Sequence, residues 1–319
     1  MSLPRAAAPQ LVLAIPTYDG RHLLEQMLPS VAAQRFRDFR VVVVDDASSD
    51  DTVAWLRATW PDVDTVALER NGGVTAAFNA CLRAAQAAEF VALFNNDVEL
   101  DPDCLGELVR AMRDHPEAGS ATGKLVDYHR RELLDGAGDA FRWTATAFRR
   151  GHGQPDDGRY RAPEAVFGAC GGAAIYRRSA LDDVGWFDES FYAFSEDVDW
   201  ALRAQLAGWT CRYVPSAVAF HMGSATLGSG LTDFTAYHLW RNAIWLVAKN
   251  YPAAALVRHA PQILFGITLN LAAAVHGRKL RIWLRAMRDA LGGMRAAIRR
   301  RRLVPRRCTL AELERVIGW

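Results

Sequence analysis

The chain has 319 residues, half of them hydrophobic and 23% charged, which excludes a disordered or fibrous protein and leaves room for a large core in one or two domains. Its net charge of +2 conceals an asymmetry: from Pro252 onward there are 14 Lys and Arg against 3 Asp and Glu, or +11, leaving −9 for residues 1–251. An acidic body with a basic tail points to an anionic partner for the tail. Five scattered cysteines (Cys81, Cys104, Cys170, Cys211, Cys308) without a Cys-x-x-Cys pair fit a reducing compartment and give neither a zinc nor a disulfide framework. Met1 to Gln10 has no apolar core of signal-peptide length.

In chain order, Leu11 to Ile15 is an apolar run broken by Pro16-Thr17-Tyr18-Asp19-Gly20, and Leu24, Met27, Leu28 and Val31 follow at helical spacing. Phe39 to Val44 is a second buried-strand pattern, stopped by Asp45-Asp46, and Asp50 or Asp51 caps the helix carrying Val53, Leu56 and Arg57. Val63 to Leu68 is a third strand, followed by the Asn71-Gly72-Gly73 turn, a helix from about Thr75 to Ala88, and the strand Phe90 to Phe94. This β–α alternation predicts a mostly parallel, doubly wound sheet. From about Thr122 to Arg161 the pattern breaks down into Gly-, Arg- and aromatic-rich sequence, which reads as loops and irregular strands lining a substrate face. From about Arg241 the chain turns helical and basic.

Several polar clusters fall at the carboxyl ends of predicted strands, where such sheets bind ligands. Asn95-Asn96-Asp97 fits either an Asx turn or a site for a hard divalent cation. Asp46 fits a turn or an acceptor of hydrogen bonds from a base or ribose, and the Gly72 and Gly73 amides could approach a diphosphate. Ser195-Glu196-Asp197-Val198-Asp199 opens a helix, as a solvated cap or as the setting of a general base. His221 ends another strand-like run (Val214 to Phe220) and could complete a metal shell with Asp97. Trp240-Arg241-Asn242 reads as a structural helix start or a cation near an anionic leaving group. No Gly-x-Ser-x-Gly elbow, Walker loop, His-Glu-x-x-His or Gly-x-Gly-x-x-Gly fingerprint is present.

Taken together and in order, these segments resemble family 2 of the inverting nucleotide-sugar glycosyltransferases, with the GT-A fold. The matching pieces are Ile15-Pro16-Thr17-Tyr18-Asp19, Val43-Val44-Asp45-Asp46-Ala47-Ser48, Asn71-Gly72-Gly73 with Asn79, and Leu93-Phe94-Asn95-Asn96-Asp97. Downstream come Gly168-Ala169-Cys170-Gly171-Gly172-Ala173 with Arg177-Arg178, Val184 to Glu189, Ser195 to Asp199, and His221. The match covers roughly residues 10–250, and the later motifs with Arg241-Asn242 are most similar to the rhamnosyltransferase branch.

The resemblance implies a role for each position. Asp46 contacts the nucleotide base, walled by Pro16, Thr17 and Tyr18. Asn71, Gly72, Asn79, Asn96, Gly171, Gly172 and Arg241 complete the nucleotide-sugar site. Asp97 binds a divalent metal (Mn2+ or Mg2+), with Asn95 standing where the family's Asp-x-Asp element has its first Asp, and His221 is a third ligand. Asp197, with Glu196 beside it, is the general base. The implied reaction moves a sugar, rhamnose in this branch, from a dTDP- or UDP-sugar to a lipid-linked or polysaccharide acceptor. A non-catalytic sugar-nucleotide-binding or scaffolding protein is the alternative. A nucleotidyltransferase would want a Gly-rich, basic loop after the first strand, which Pro16 to Asp19 is not.

The expected organisation is a catalytic domain over residues 1–250 and a helical, basic extension over 251–319. The uncharged stretch Ala260 to Val275 falls short of the roughly 20 apolar residues a spanning helix needs and fits a buried or an interfacial helix. Leu280, Leu284, Met287, Leu291, Met294 and Ile298 form one apolar stripe, with an arginine stripe (Arg281, Arg285, Arg288, Arg295, Arg299, Arg302) about 100° round the helix. Residues 278–302 are therefore expected to lie on an anionic membrane surface, with the protein peripheral at the cytoplasmic face of the cell membrane. The competing arrangement packs the apolar stripe onto the catalytic domain. Trp283 is the one aromatic residue among these arginines, which argues against nucleic-acid binding.

Overall fold

All four strand-like runs of the first hundred residues form strands, separated by helices as the alternation predicts. They are β1 (Leu11–Thr17), α1 (Arg21–Ala32), β2 (Phe39–Asp45), α2 (Thr52–Thr59), β3 (Asp64–Ala67), α3 (Val74–Ala84) and β4 (Phe90–Phe94). The computed structural model describes residues 3–4, 9–223 and 231–318, so most of the N-terminal segment read for a leader lies outside the described residues. Alternate residues of the apolar runs serve two cores. Leu11, Leu13, Ile15, Val41 and Val43 pack with Leu24 and Met27 of α1, while Val12, Ala14, Val42 and Val44 pack with Phe78 and Leu82 of α3. Burial on both faces is why these strands show no polar alternation.

The chain continues through β5 (Val98–Leu100), α4 (Cys104–Asp114), β6 (Ala118–Asp127), β7 (Leu134–Gly136), β8 (Asp139–Arg142), β9 (Thr146–Arg149), β10 (Glu164–Val166) and β11 (Ala173–Arg177). Next come α5 (Arg178–Val184), α6 (Glu196–Ala207), β12 (Thr210–His221), α7 (Asp233–Asn250), α8 (Ala253–Arg258), α9 (Ala260–His276), α10 (Leu280–Arg300) and α11 (Leu310–Val316). The ten-stranded sheet runs β10-β12-β6-β11-β4-β1-β2-β3, with β5 paired to β12 and β7 to β6. Strands β4, β1, β2 and β3 are parallel, as are β6 and β12, and β11 lies antiparallel between the two groups.

Two expectations need correction. Thr122 to Asp127 is not irregular: it is the second half of β6, a central strand whose small residues hide its character. Gly123 is one of them because a side chain there would collide with the Ala217 carbonyl, where β12 bulges at Pro215. Arg241 does not begin a helix but sits in the middle of α7, which Thr232 caps by accepting a bond from the Thr235 amide at 3.1 Å.

The tail packs on the body with the face that the stripe analysis passed over. Ala286, Ala290 and Ala297 are the buried residues of α10, and Gly293 lies against Trp245 of α7, where a side chain would collide. Only small residues let the two helices approach this closely, and the Trp245 Nε1–H donates to the Ala290 carbonyl at 2.9 Å. Gly293 thus serves packing, and α10 continues through it unbroken. The leucines of the apolar stripe are left in solvent, Leu284 55% and Leu291 69% exposed, while Met287 packs beside Ala236, Trp240 and Ala286. Val304, Leu313 and Ile317, in contrast, share a buried cluster with Phe141, Leu202, Leu246 and Tyr251.

Candidate active site

The carboxyl ends of β1, β2 and β4 and the amino end of β11 meet at one edge of the sheet. Thr17 pairs with Asp45 in register, and the Asp46 amide donates to the Thr17 carbonyl at 2.8 Å. The buried Asp46 carboxylate accepts the Gly72 amide at 2.8 Å and the Gly73 amide at 3.0 Å. Burial raises its pKa, and these two bonds oppose the rise. The two amides expected to approach a diphosphate are therefore committed to Asp46, and the turn shapes the wall beside it. Pro16 and Tyr18 flank that wall, Tyr18 being exposed, while the buried Asn96 amide donates to Thr17 Oγ1 at 2.8 Å. Asn79 lies elsewhere: it bonds the Phe187 backbone in both directions and Glu189, fastening α3 to that segment.

A second group forms where β5 runs antiparallel to the end of β12. Val98 pairs with His221, and the Met222 amide donates to the Asp97 carbonyl at 2.9 Å. The Asp97 carboxylate is buried, its Oδ1 has no hydrogen-bond partner, and His221 Nε2 lies 3.4 Å from that oxygen. The Asn95 amide donates to the Gly172 carbonyl, and a side chain on Gly172 would come within 3.5 Å of Asn95 Nδ2 and 4.0 Å of His221 Nε2. Burial lowers the His221 pKa, but the hydrogen bond with Asp135 and the negative charges of Asp97 and Asp135 outweigh it and lift the value to about 9.

Among the described residues, no three His, Cys, Asp or Glu side chains gather as a metal cage. An orphaned carboxylate oxygen beside an imidazole nitrogen nevertheless fits Mg2+ or Mn2+, ions that commonly take one or two protein ligands and the rest from phosphates and water. Asp135, which accepts from or faces His221 Nδ1 at 2.9 Å, was not among the predicted residues. It falls within the stretch read as irregular, and no spacing in the sequence singles it out.

The third group begins α6. Asp197 Oδ1 accepts the Val198 amide at 2.7 Å and Oδ2 accepts the Gly171 amide at 3.2 Å. Burial raises the Asp197 pKa against these bonds, moving the carboxylate toward the range useful in a general base. Glu196 is more deeply enclosed: burial and then the Asp197 charge push it up to about 8, and its Oε2 has no partner. Asp197 keeps some exposure, so of the two adjacent carboxylates it is the one open to an acceptor. Asp139, also buried and also absent from the sequence reading, is held well above its ordinary value by burial and the Asp197 charge. Two residues after Asp197, the fully buried Asp199 meets Arg203 at 2.8 Å, Lys249 at 2.9 Å and Asn250 at 2.8 Å, tying α6 to α7.

The loop entering α6 is strained, with positive φ at Tyr192 (65°), Phe194 (62°) and Ser195 (67°). Fully buried Asn242 holds it: Nδ2 lies 3.2, 3.0 and 2.7 Å from the carbonyls of Phe191, Ala193 and Phe194. Arg241 donates to the Phe191 carbonyl at 2.8 Å and to Asn242 Oδ1 at 3.0 Å, with its guanidinium 4.4 Å from the Trp245 ring. The arginine expected near a leaving group is thus enclosed in a clamp on this loop. Gly73, at φ +80°, packs against the Tyr192 ring, where a side chain would come within 2.8 Å, so the loop also touches the turn that holds Asp46.

Such a sheet, with its polar residues gathered at the strand ends, has the GT-A architecture. The chain belongs to glycosyl transferase family 2, whose model matches residues 12–185. It is 28% identical over 266 residues to the N-acetylglucosaminyl-diphospho-decaprenol L-rhamnosyltransferase of Mycobacterium tuberculosis, covering 75% of this chain and 84% of the relative. An N-acetylglucosaminyltransferase of Mesorhizobium japonicum is 31% identical over 228 residues, 66% of this chain and 51% of that longer protein. The fold is similar to that of mannosyltransferase PcManGT from Pyrobaculum calidifontis, solved with GDP-Man and Mn2+ (TM-score 0.55, 19% identity, 95% of this chain and 87% of that one). It is also similar to TarS of S. aureus, solved with UDP-GlcNAc (TM-score 0.58, 18% identity, 92% and 90%).

Proposed function

We propose that this glycosyltransferase is inverting and moves rhamnose from a dTDP- or UDP-sugar to a lipid-linked or polysaccharide acceptor, with Asp197 as its general base. The observation that carries this reading is the Gly171-Gly172 pair. Gly171 donates to Asp197 on one side, while Gly172 borders Asn95 and His221, beside Asp97, on the other. Two glycines thus separate a basic carboxylate from a cation site, the two halves that a displacement at an anomeric carbon requires.

In the proposed step Asp197 takes the proton of an acceptor hydroxyl as that oxygen attacks the anomeric carbon and the nucleoside diphosphate departs. One displacement without a covalent intermediate inverts the configuration. Asp97, His221 and Asn95 would hold a divalent ion, which supplies charge neutralisation for the departing diphosphate. Asp46, with Pro16, Thr17 and Tyr18, would receive the nucleoside. The rhamnosyl donor and lipid-linked acceptor are supported by the name of the mycobacterial relative.

Asp197→Asn is expected to lose transfer while still binding donor, and Asp97→Ala to lose metal-stimulated donor hydrolysis with Mn2+ or Mg2+. Full transferase activity in Asp197→Asn would rule the assignment out.

The proposal extends to the tail. Among the described residues no helix is long and apolar enough to cross a membrane. α9 and α10 expose large apolar side chains, including Leu264, Phe265, Leu269, Leu284 and Leu291, and α10 carries its arginine stripe beside these leucines. Leucines at the acyl boundary with arginines at anionic headgroups suit a peripheral attachment at the cytoplasmic face, where a lipid-linked acceptor would be met. The full chain should pellet with anionic liposomes and a 1–250 truncation, provided it is folded, should not; equal pelleting would remove the tail as the anchor.

A further inference from the structure

We propose that Asp135 is a positioning residue for the catalytic metal: it locks the His221 ring so that Nε2, beside Asp97, is the nitrogen offered to the ion. This rests on the reading of Asp97 and His221 as metal ligands. The placement comes from topology. β7 is a three-residue strand paired to the end of β6 (Leu125 with Gly136, Val126 with Leu134), and β6 pairs Asp127 with His221 of β12. Asp135, at the centre of β7, therefore stands at the end of the strand that delivers the imidazole.

Its carboxylate is buried and engaged on every side. Asp135 Oδ2 lies 2.9 Å from His221 Nδ1, Oδ1 lies 3.2 Å from His152 Nδ1, and Arg149 forms an ion pair with it. A carboxylate at Nδ1 keeps the proton on that nitrogen, so the proton an incoming ion displaces is the one on Nε2. It also fixes the plane of the ring. Metal-binding histidines almost always make this second contact, and its removal typically costs 10–100-fold in metal affinity. Asp135 is not free to act as a ligand itself, because Arg149, His152 and His221 already surround it. Arg149 balances its charge, so that the carboxylate orients the ring without adding a net anion to the site.

The test is Mn2+ affinity of the full-length protein, measured by electron paramagnetic resonance of free Mn2+ and by calorimetry, with no donor or turnover involved. Asp135→Asn should weaken Mn2+ binding 10–100-fold. Asp135→Glu should recover part of the loss, and His152→Ala, which touches the same carboxylate but not His221, should stay within about threefold. Asp97→Ala should abolish binding. If Asp97→Ala abolishes binding while folded Asp135→Asn stays within about twofold of wild type, the positioning role is wrong and the metal site stands. If Asp97→Ala binds Mn2+ as wild type does, the metal-site reading fails and this proposal falls with it. Should Asp135→Asn not fold, nitrogen NMR of the Mg2+-saturated wild-type protein decides: a proton on His221 Nδ1 with Nε2 bare is required, and a proton on Nε2 with Nδ1 bare overturns the proposal.

Discussion

Replacing Asn242 by alanine tests whether the entry loop of α6 is held in place or merely rests there. The wild-type side chain has no solvent exposure and its Nδ2 lies within 3.2 Å of three loop carbonyls, while its Oδ1 accepts from Arg241. Truncation leaves at least the Ala193 and Phe194 carbonyls without this donor, at about 1–3 kcal/mol for each buried group left unpaired. The loop holds three residues at positive φ, each storing about 1–3 kcal/mol, so it relaxes once released and returns part of that loss. The expected net destabilisation is about 2–4 kcal/mol, read from urea midpoints at constant m-value.

Relaxation also moves Ser195 and with it the first turn of α6. Turnover should therefore fall about 10–100-fold under conditions where the variant is folded, the scale expected for a displacement near 1 Å, with donor KM changed less than about threefold. Asn242→Asp should be at least as damaging, because a carboxylate has no proton to donate to these carbonyls. A folded Asn242→Ala protein with wild-type turnover would refute the reasoning.

Three further outcomes are expected. Glu196 is raised from an ordinary value of 4.5 to about 8, so between these pH values the folded state keeps a proton that the unfolded state has lost. Stability should fall as pH rises from about 4.5 to about 8 and level off above; at about 1.4 kcal/mol per unit the full window sets a ceiling, and a loss on the order of 2 kcal/mol is expected. Glu196→Gln should remove that slope, and urea midpoints running parallel to wild type across the window would contradict it. Gly171→Ala places a Cβ 2.6 Å from Asp197 Oδ2, which must shift; turnover should drop about 100-fold with Mn2+ affinity unchanged, whereas an active variant would separate Gly171 from the base. Leu284→Glu with Leu291→Glu alters side chains 55% and 69% exposed, so stability should change by less than about 1 kcal/mol while sedimentation with anionic liposomes is lost; undiminished sedimentation would count against the tail face.

The legible parts of the fold share a physical origin. β1, β2 and β4 announce themselves because both faces are buried, and α1 does because one face is. β6 was missed because Gly119, Ser120, Thr122 and Gly123 lack the bulk that marks a strand, the two glycines being demanded by Trp209 and by the bulge of β12. The tail's large apolar residues pointed to a membrane surface or, as the competing arrangement, to the body, but Ala286, Ala290 and Gly293 make the close contact with the body. Periodicity records where bulky side chains lie and is blind to a close approach made through small ones.

The same division holds at the candidate site. Residue types at strand ends and at one helix start, taken in order, marked Asp46, Asp97, Asp197 and His221, because a carboxylate or imidazole at such a boundary is a local feature of the chain. What each side chain touches was decided by tertiary structure. Asp46 is bound to the Gly72 and Gly73 amides, Arg241 is enclosed above the Tyr192–Ser195 loop, and Asp135 meets His221 across 86 positions of sequence. Hydrogen bonds and desolvation depend on neighbours that only the packed sheet brings together. The sequence alone therefore determined the sheet's parallel half and the chemical groups at its edge, while folding determined which carboxylate is free, which is committed, and which holds another residue in place.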